Sequence, residues 1–537
     1  MKLLKTSIAL LLILLLCACN DKGERSTDPS APSSEKRSVE LHLPGGDWGL
    51  PTPFTFYPRG PGYIHLSLVY DTLIWKDEKG SIPWLAESWE SSEDGTSWTF
   101  HLRSGVHWQD GRPLTARDVR FTFEYLERFP VEWFALEAIR DVEVLNDTTV
   151  LFHLKSPYAP FPSHVAGSVP ILPEHLWREV ADPRAAIGME KVVGSGPYRL
   201  VRYDKAQGAY GYEANPDFFL GPPRVERIHF VPAADPVAAL DRGDVDAAPI
   251  PASLLPRFRN DRRFHLLSGP AFWVLTLQFN RDRFPFSEEP ARHALAHAID
   301  RKGLIEQSVP GGLEGARPGN PGYLPPESRW LDSANQDLYP YDPERAGALL
   351  QSLSIEDRDS DGICEGPDGA PLRFGLLTTS AYAREAEALR LMLDKAGLHT
   401  EIRVLDTKTL DAMVREGNFD LAVSGRGGLG GDPATIMGFG AAYDSSPWPG
   451  TPKSPEFQRA AVRLLSTVDP SERMELCKTM QHLYARELPS LPLYYQISHV
   501  AYRPESLQGW FHTAEGGIGI GIPSPHNKLV FIGEKRP

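Results

Sequence analysis

The segment Trp84–Tyr125, WLAESWESSEDGTSWTFHLRSGVHWQDGRPLTARDVRFTFEY, constrains the fold most tightly, because its pattern turns from strand-like to helical within one short run. Ser97 to Leu102 alternates and is rich in β-formers, so it reads as a half-buried strand. Glu93-Asp94-Gly95 and Asp110-Gly111 supply turn chemistry on either side of it. Thr115 then stands where an N-cap belongs. Asp118, three residues on, gives a capping-box start to a helix over Ala116 to Tyr125. The order is strand, turn, strand, turn, helix, with no nucleophile, metal cluster or phosphate loop inside it.

With 41% hydrophobic and 23% charged residues, the chain has the balance of a globular protein, and 537 residues are enough for more than one domain. A net charge of −14 and the lack of a basic aromatic stripe argue against a nucleic-acid partner. The 49 prolines and 46 glycines imply many turns, and no solenoid-length repeat is present.

Lys2 and Lys5, the apolar run Ile8 to Leu16 and the small residues after it form a secretory signal too short to span a membrane. Leu16-Cys17-Ala18-Cys19 resembles the bacterial lipobox. That resemblance implies lipidation of Cys19 after removal of residues 1–18, with acyl chains holding the protein at a membrane. Residues 19–38, rich in Ser, Pro, Asp, Glu and Lys, then read as a flexible tether, and Asp21 hints at inner-membrane retention. Only Cys364 and Cys477 remain in the mature chain, too few for a disulfide framework, and they are expected to stay free.

Leu85, Ala86, Trp89, Asp94, Gly95, Phe100, Leu102, Arg103, Gly105, Val106, Trp108, Asp110, Gly111, Pro113, Leu114, Thr115, Ala116, Asp118 and Val119 form a dense phrase. It closely resembles the extracellular solute-binding proteins of family 5, the peptide, oligosaccharide and nickel receptors of ABC importers. Gly194-Ser195-Gly196-Pro197-Tyr198 and the run Arg292, Ala294, Leu295, Ala298, Ile299, Asp300 and Arg301 match further phrases of that family. The resemblance implies an α/β, two-lobed periplasmic binding protein of type II, with an extra subdomain in the first lobe and two crossings between lobes. Its implied boundaries are 39–280 for the first lobe, with a subdomain at about 81–193, 281–490 for the second, and 491–537 for the return. Implied partners are an ABC permease and ATPase complex, a small-molecule or peptide ligand, and the membrane through the lipid anchor. A monomer is expected, at the periplasmic or extracellular face of the cell membrane. An oligosaccharide or nickel-complex receptor and a ligand-presenting sensor subunit are the alternatives.

The patterns beside this resemblance are consistent with it. Val39 to Leu43 reads as a strand and Val142 to Leu154 as a hairpin turning at Asn146-Asp147, and the resemblance implies a short helix and a following strand over Leu66 to Trp75. Trp273 to Asn280 and Leu491 to Tyr502 are the implied crossing strands. Ala291 to Glu306 reads as one helix and Pro343 to Leu353 as another. Arg373 to Leu377, Glu401 to Leu405 and Asp420 to Val423 alternate as strands with helices over Tyr382 to Ala396 and Leu410 to Glu416, favouring a partly parallel sheet.

No enzyme is expected. Gly194-Ser195-Gly196 lies between Val193 and Pro197, which breaks the nucleophile-elbow pattern, and neither a zinc His-Glu-x-x-His signature nor a phosphate loop occurs. His293 and His297 have the spacing of two metal ligands on one helix, or are two half-exposed helix residues. Asp357, Asp359, Asp361, Gly362, the backbone carbonyl of Ile363, Glu365 and Asp368 fall on the spacing of an EF-type calcium loop. The alternative is an acidic surface turn. No cofactor is required, and structural calcium is the one candidate.

In peptide receptors of the family an aspartate four residues before the proline of a glycine-rich loop pairs with the ligand's ammonium. Here that loop runs from Gly425 to Pro433, and the position is Leu429, which cannot neutralise a buried ammonium. Either Asp432 takes over or the ligand has no free amino terminus there. Trp273, Arg426, Trp448 and Trp510, with Phe272 and Phe511, are the other cleft candidates, each of which core or surface packing would equally explain.

Overall fold

The computed structural model describes residues 39–56, 61–131, 134, 136–185, 188–271, 273–336, 338–427, 431–437, 452–514 and 525–533. The capped helix runs over Ala116–Arg128, and its capping box is closed: the Thr115 side chain accepts from the Arg117 amide while Asp118 Oδ2 accepts from the Thr115 amide at 2.9 Å. Gly95 and Gly111 take the left-handed φ values of +66° and +87° that their turns need. Strand Ser97–Leu102 turns Trp98, Phe100 and Leu102 inward. It lies between Ala86–Ser91 and Thr149–Leu154, with Ile139–Asn146 completing a four-stranded antiparallel sheet. The helix closes over this sheet, Phe123 meeting Phe152 edge to face at 4.9 Å between ring centroids.

A second four-stranded sheet orders Glu40–Pro44, Arg227–Val231, Ala209–Ala214 and Tyr198–Asp204, the first pair parallel. The Gly-x-Gly before Tyr198 has a steric origin. A Cβ at Gly194 would lie 1.9 Å from the Val69 carbonyl oxygen, and one at Gly196 would lie 2.5 Å from it. The Gly196 amide donates to that same oxygen at 2.8 Å. The glycines let this loop close on the end of helix Gly62–Val69, while Ser195 turns away to donate to Asp71 Oδ2 at 2.8 Å. Ser195 is buried and serves packing, not catalysis.

The second lobe is built on a six-stranded mixed sheet. Its order is Ala316–Pro318, Ser490–Gln496, Trp273–Phe279, Leu421–Arg426, Arg373–Thr379 and His399–Leu405, with the last three strands parallel as the alternation implied. A small sheet of Ala247–Pro249, His499–Tyr502 and His265–Ser268 receives both connections on the first-lobe side. The crossings touch there, the Gly269 amide donating to the Ser498 carbonyl at 2.7 Å.

Four features differ from the sequence reading. The single helix expected over residues 291–306 is two, Glu289–Ala298 and Arg301–Ser308, because Asp300 leaves the helix and caps the second by accepting from the Gly303 amide. The strand expected over residues 491–502 divides at the crossing into Ser490–Gln496 and His499–Tyr502. Two further helices, Pro455–Ser466 and Pro470–Glu487, carry Ser454 and Asp469 as side-chain caps and Pro at N1, the start signal of a helix. The C-terminal helix Lys528–Ile532, buried throughout, was also unanticipated.

Gly194→Ala should destabilise the protein by about 3 kcal/mol, because the added methyl meets a backbone carbonyl that cannot rotate away. Urea unfolding followed by circular dichroism measures this, and wild-type stability would refute the packing assignment.

Candidate functional site

The junction of the lobes gathers several of the expected residues. Trp273 opens the first crossing strand and donates from Nε1 to the Tyr382 hydroxyl at 3.0 Å. Tyr382 ends the short turn Ser380–Tyr382 before helix Ala383–Lys395. Both side chains lie over Gly425, where a Cβ would stand 2.3 Å from the hydroxyl and 2.5 Å from the indole nitrogen. Glycine at 425 therefore lets the two aromatic side chains lie against the backbone of the two central strands. Arg426 pairs in register with Val274, which lies in the core formed with Tyr323, Trp330 and Tyr484. Its charge acts on the Tyr323 and Tyr484 hydroxyls, opposing the burial that raises both.

Asp432 is fully committed within the protein. Arg473 Nη2 donates to its two carboxylate oxygens at 2.8 and 2.9 Å, and the Ala434 amide donates to Oδ1 at 2.9 Å. Both side chains are buried, at 10% exposure for Arg473 and 6% for Asp432. Trp330 lies 5.8 Å from the guanidinium and donates to the Gly431 carbonyl at 2.9 Å, so the pair and the indole fix the end of the glycine-rich loop. Trp510 is a core residue: it is 6% exposed, donates to the Leu507 carbonyl and packs against Tyr502, His526 and Phe531. Phe511 beside it is half-buried. Cys19, Phe272, Leu429 and Trp448 lie outside the described residues.

Two first-lobe residues within electrostatic reach of the Asp432–Arg473 pair gave no sequence signal: Tyr158 in a loop and His164 in the short helical turn Pro162–Ala166. The Tyr158 hydroxyl and His164 Nδ1 are hydrogen-bonded at 2.9 Å. Burial, opposed by the Asp432 charge, lowers the pKa of His164, while burial and the same charge raise that of Tyr158. Beside them the Ala159 amide donates to the Leu465 carbonyl at 2.7 Å, a backbone bond between the lobes. His512 packs on Gly269 at the crossing. Both its ring nitrogens are shielded from solvent with no hydrogen-bond partner among the described residues, and burial lowers its pKa to about 4.

The metal expectations resolve differently. His293 Nε2 bonds to the Arg486 carbonyl at 2.7 Å and His297 Nδ1 to the Pro340 carbonyl at 2.8 Å, so each ring spends a nitrogen on backbone. In the acidic loop, Asp357, Asp359, Asp361 and Glu365 bring carboxylate oxygens within 4.8 Å of one another. Gly362 at φ +90° makes the turn, its amide donating to Asp357 Oδ2, while the Ile363 amide donates to Asp361 Oδ1. Asp368 is not part of the group. It accepts from the Ala370 amide in the turn that follows, and Glu365 stands in the cluster instead. Cys364 and Cys477 are free and buried, and burial pushes the Cys477 thiol up to about 12.

Over residues 81–445 the sequence matches the bacterial extracellular solute-binding proteins, family 5 (middle region). The chain belongs to this family. The family 5 protein is 28% identical over 447 residues to the dipeptide-binding protein of Escherichia coli (strain K12), covering 76% of this chain and 80% of that one. It is 26% identical to the oligopeptide-binding protein AppA of Bacillus subtilis (strain 168), covering 95% of each. Its fold superposes on NikZ from Campylobacter jejuni in complex with Ni(L-His) with a TM-score of 0.72 at 25% identity, covering 90% of this chain and 97% of that one. As a family 5 protein it is a solute-binding component of ABC transport, not an enzyme, and it works in the periplasm or outside the cell. Among the described residues, no helix is long and apolar enough to cross a membrane.

Arg473→Met should cost the family 5 protein about 3–5 kcal/mol, because Asp432 is left charged and buried without its partner. The double variant Asp432→Asn/Arg473→Met should recover part of that loss in urea unfolding. Equal losses in the two would mean that the pair does not hold the loop.

Proposed function

We propose that this protein captures a peptide or peptide-like solute between its lobes and delivers it to an ABC permease and its ATPase. The observation that carries the reading is the Trp273–Tyr382 wall beside Gly425, an aromatic surface placed where both crossings meet. Such a surface suits planar amide and side-chain groups. The relatives named for dipeptides and oligopeptides support it. Because Arg473 already saturates Asp432, a free ligand ammonium has no counter-charge at that residue, and the cargo is a peptide-like compound whose amine is blocked or placed elsewhere. Ligand binding then favours the closed form that a permease would recognise. Native mass spectrometry of the purified protein should release one such compound. Trp273→Ala should weaken its rebinding by about tenfold, read by calorimetry. A free unmodified dipeptide held through Asp432 would overturn this choice of cargo.

A metal–chelate cargo is the second reading, favoured by the two ring nitrogens of His512, which have no hydrogen-bond partner among the described residues, since a neutral imidazole can complete a transition-metal coordination sphere. Metal analysis of the same preparation separates the two: a stoichiometric transition metal selects the chelate, and its absence from a preparation holding an organic ligand selects the peptide-like solute.

We also propose that Cys19 carries the lipid anchor. Cys19→Ala should move the protein from the membrane to the soluble fraction, and an unchanged distribution would exclude the anchor. For the acidic loop, calcium is the ion that fits four carboxylates with hard oxygen donors on a glycine turn. Its role would be to pin the turn, with no part in capture. Chelation by EGTA should lower the Tm of calcium-loaded protein, and Asp359→Asn should abolish that difference; an unaltered Tm would reject the site.

A further inference from the structure

A second pocket, unrelated to the cleft, lies within the first lobe. Lys528 Nζ stands 2.5 Å from Asp71 Oδ1, and both side chains are 0% exposed. The ammonium lies over the faces of two indoles, 4.1 Å from the ring centre of Trp75 and 4.6 Å from that of Trp84. The walls are fixed by their own polar atoms. Trp84 Nε1 donates to Asp71 Oδ1 at 2.7 Å, Ser195 Oγ donates to Oδ2 at 2.8 Å, and Trp75 Nε1 donates to Asn527 Oδ1 at 2.9 Å. A carboxylate flanked by two aromatic faces is the chemistry that recognises an alkylammonium. Burial pushes the Lys528 ammonium down and Asp71 pulls it back up, the first effect being the larger.

The sequence positions give this pocket its meaning. Asp71, Trp75, Trp84 and Ser195 all come from the first part of the chain, whereas Lys528 lies 457 residues beyond Asp71. The segment carrying Lys528 is bonded in turn to the first lobe. Asn527 Nδ2 donates to the Lys76 carbonyl at 2.8 Å, Arg224 Nε donates to the Val530 carbonyl at 3.0 Å, and the Val225 amide donates to the Phe531 carbonyl at 3.2 Å. Without this segment, Asp71 would be a charge in an apolar site with no cation beside it.

We propose that the first lobe contains a binding site for a primary alkylammonium, built by Asp71, Trp75 and Trp84, which the chain fills with its own Lys528. The C-terminal segment is thus an intramolecular ligand, and the first lobe completes its core only when the last residues of the chain arrive. Lys76, whose carbonyl the segment holds, belongs to the strand Ile74–Lys76 and acts electrostatically on His164 at the lobe junction.

The test is chemical rescue in the full chain. Lys528→Ala removes three methylenes and the ammonium, the volume of propylammonium. This variant should melt about 5 °C or more below wild type. Propylammonium chloride should raise its Tm saturably, beyond an equal concentration of sodium chloride and with little effect on wild type, whereas propanol should not. Lys528→Met, which keeps the aliphatic length without the charge, should also melt low and resist rescue. A wild-type Tm for Lys528→Met, or equal rescue by propanol, would overturn the proposal by showing that only apolar filling matters. Should Lys528→Ala fail to accumulate in folded form, refolding from urea decides the matter. Recovery that depends on propylammonium supports the site, and no gain from the amine refutes it.

Discussion

The two strands that carry the chain between lobes, Trp273–Phe279 and Ser490–Gln496, are hydrogen-bonded to each other inside one sheet, and the placement of the site follows from that pairing. Because the crossings run side by side, any change in the angle between the lobes must bend both at once, which restricts the motion to a hinge. The pairing is not regular. A register shift falls between Leu275 and Thr276, opposite the stretch containing Pro492, which has no amide to give to the ladder. Gly319 accommodates the displaced backbone: its amide donates to the Leu493 carbonyl, and a Cβ there would stand 1.9 Å from the Pro492 oxygen. The irregular part of the sheet thus lies near the middle of both crossing strands.

Among the described residues each lobe holds one deeply buried ion pair, and neither is best understood as a source of net stability. Removing two charges from water costs several kcal/mol for each ion, so such pairs often do no better than apolar residues of equal size. What they supply is position. Asp432–Arg473 fixes the end of the glycine-rich loop in the second lobe, and Asp71–Lys528 fixes where the end of the chain lies in the first.

Local signals in the sequence were readable where the structure is local. The capping box at Thr115, the turns at Gly95 and Gly111 and the alternation of Trp98, Phe100 and Leu102 all depend on neighbours within a few residues, and all are present. The two-lobed architecture was legible from family phrases. Contacts between distant segments were not. Nothing near Asp432 in sequence announces Arg473, and nothing near Trp510 shows that residues 526 and 531 will bury it. The acidic loop falls between these cases: spacing located it, but whether Glu365 or Asp368 joined the cluster depended on the turn at Ala370, which claims Asp368. Tyr158 and His164 carry no pattern at all, because neither their bond to each other nor the charges of Asp432 and Arg473 that act on them can be read from local spacing.

The Ala159–Leu465 bond has a thermodynamic consequence. Together with the packing of Val468 against the first-lobe core, it joins the lobes through groups that need no cargo between them. Part of the free energy of closing is therefore common to every solute. The fraction of empty protein already closed multiplies all affinities by one factor, while the residues facing the solute set their ratios. Evolution could then tune how tightly this receptor holds its cargoes at one patch, and which cargoes it prefers at another, without either adjustment disturbing the other.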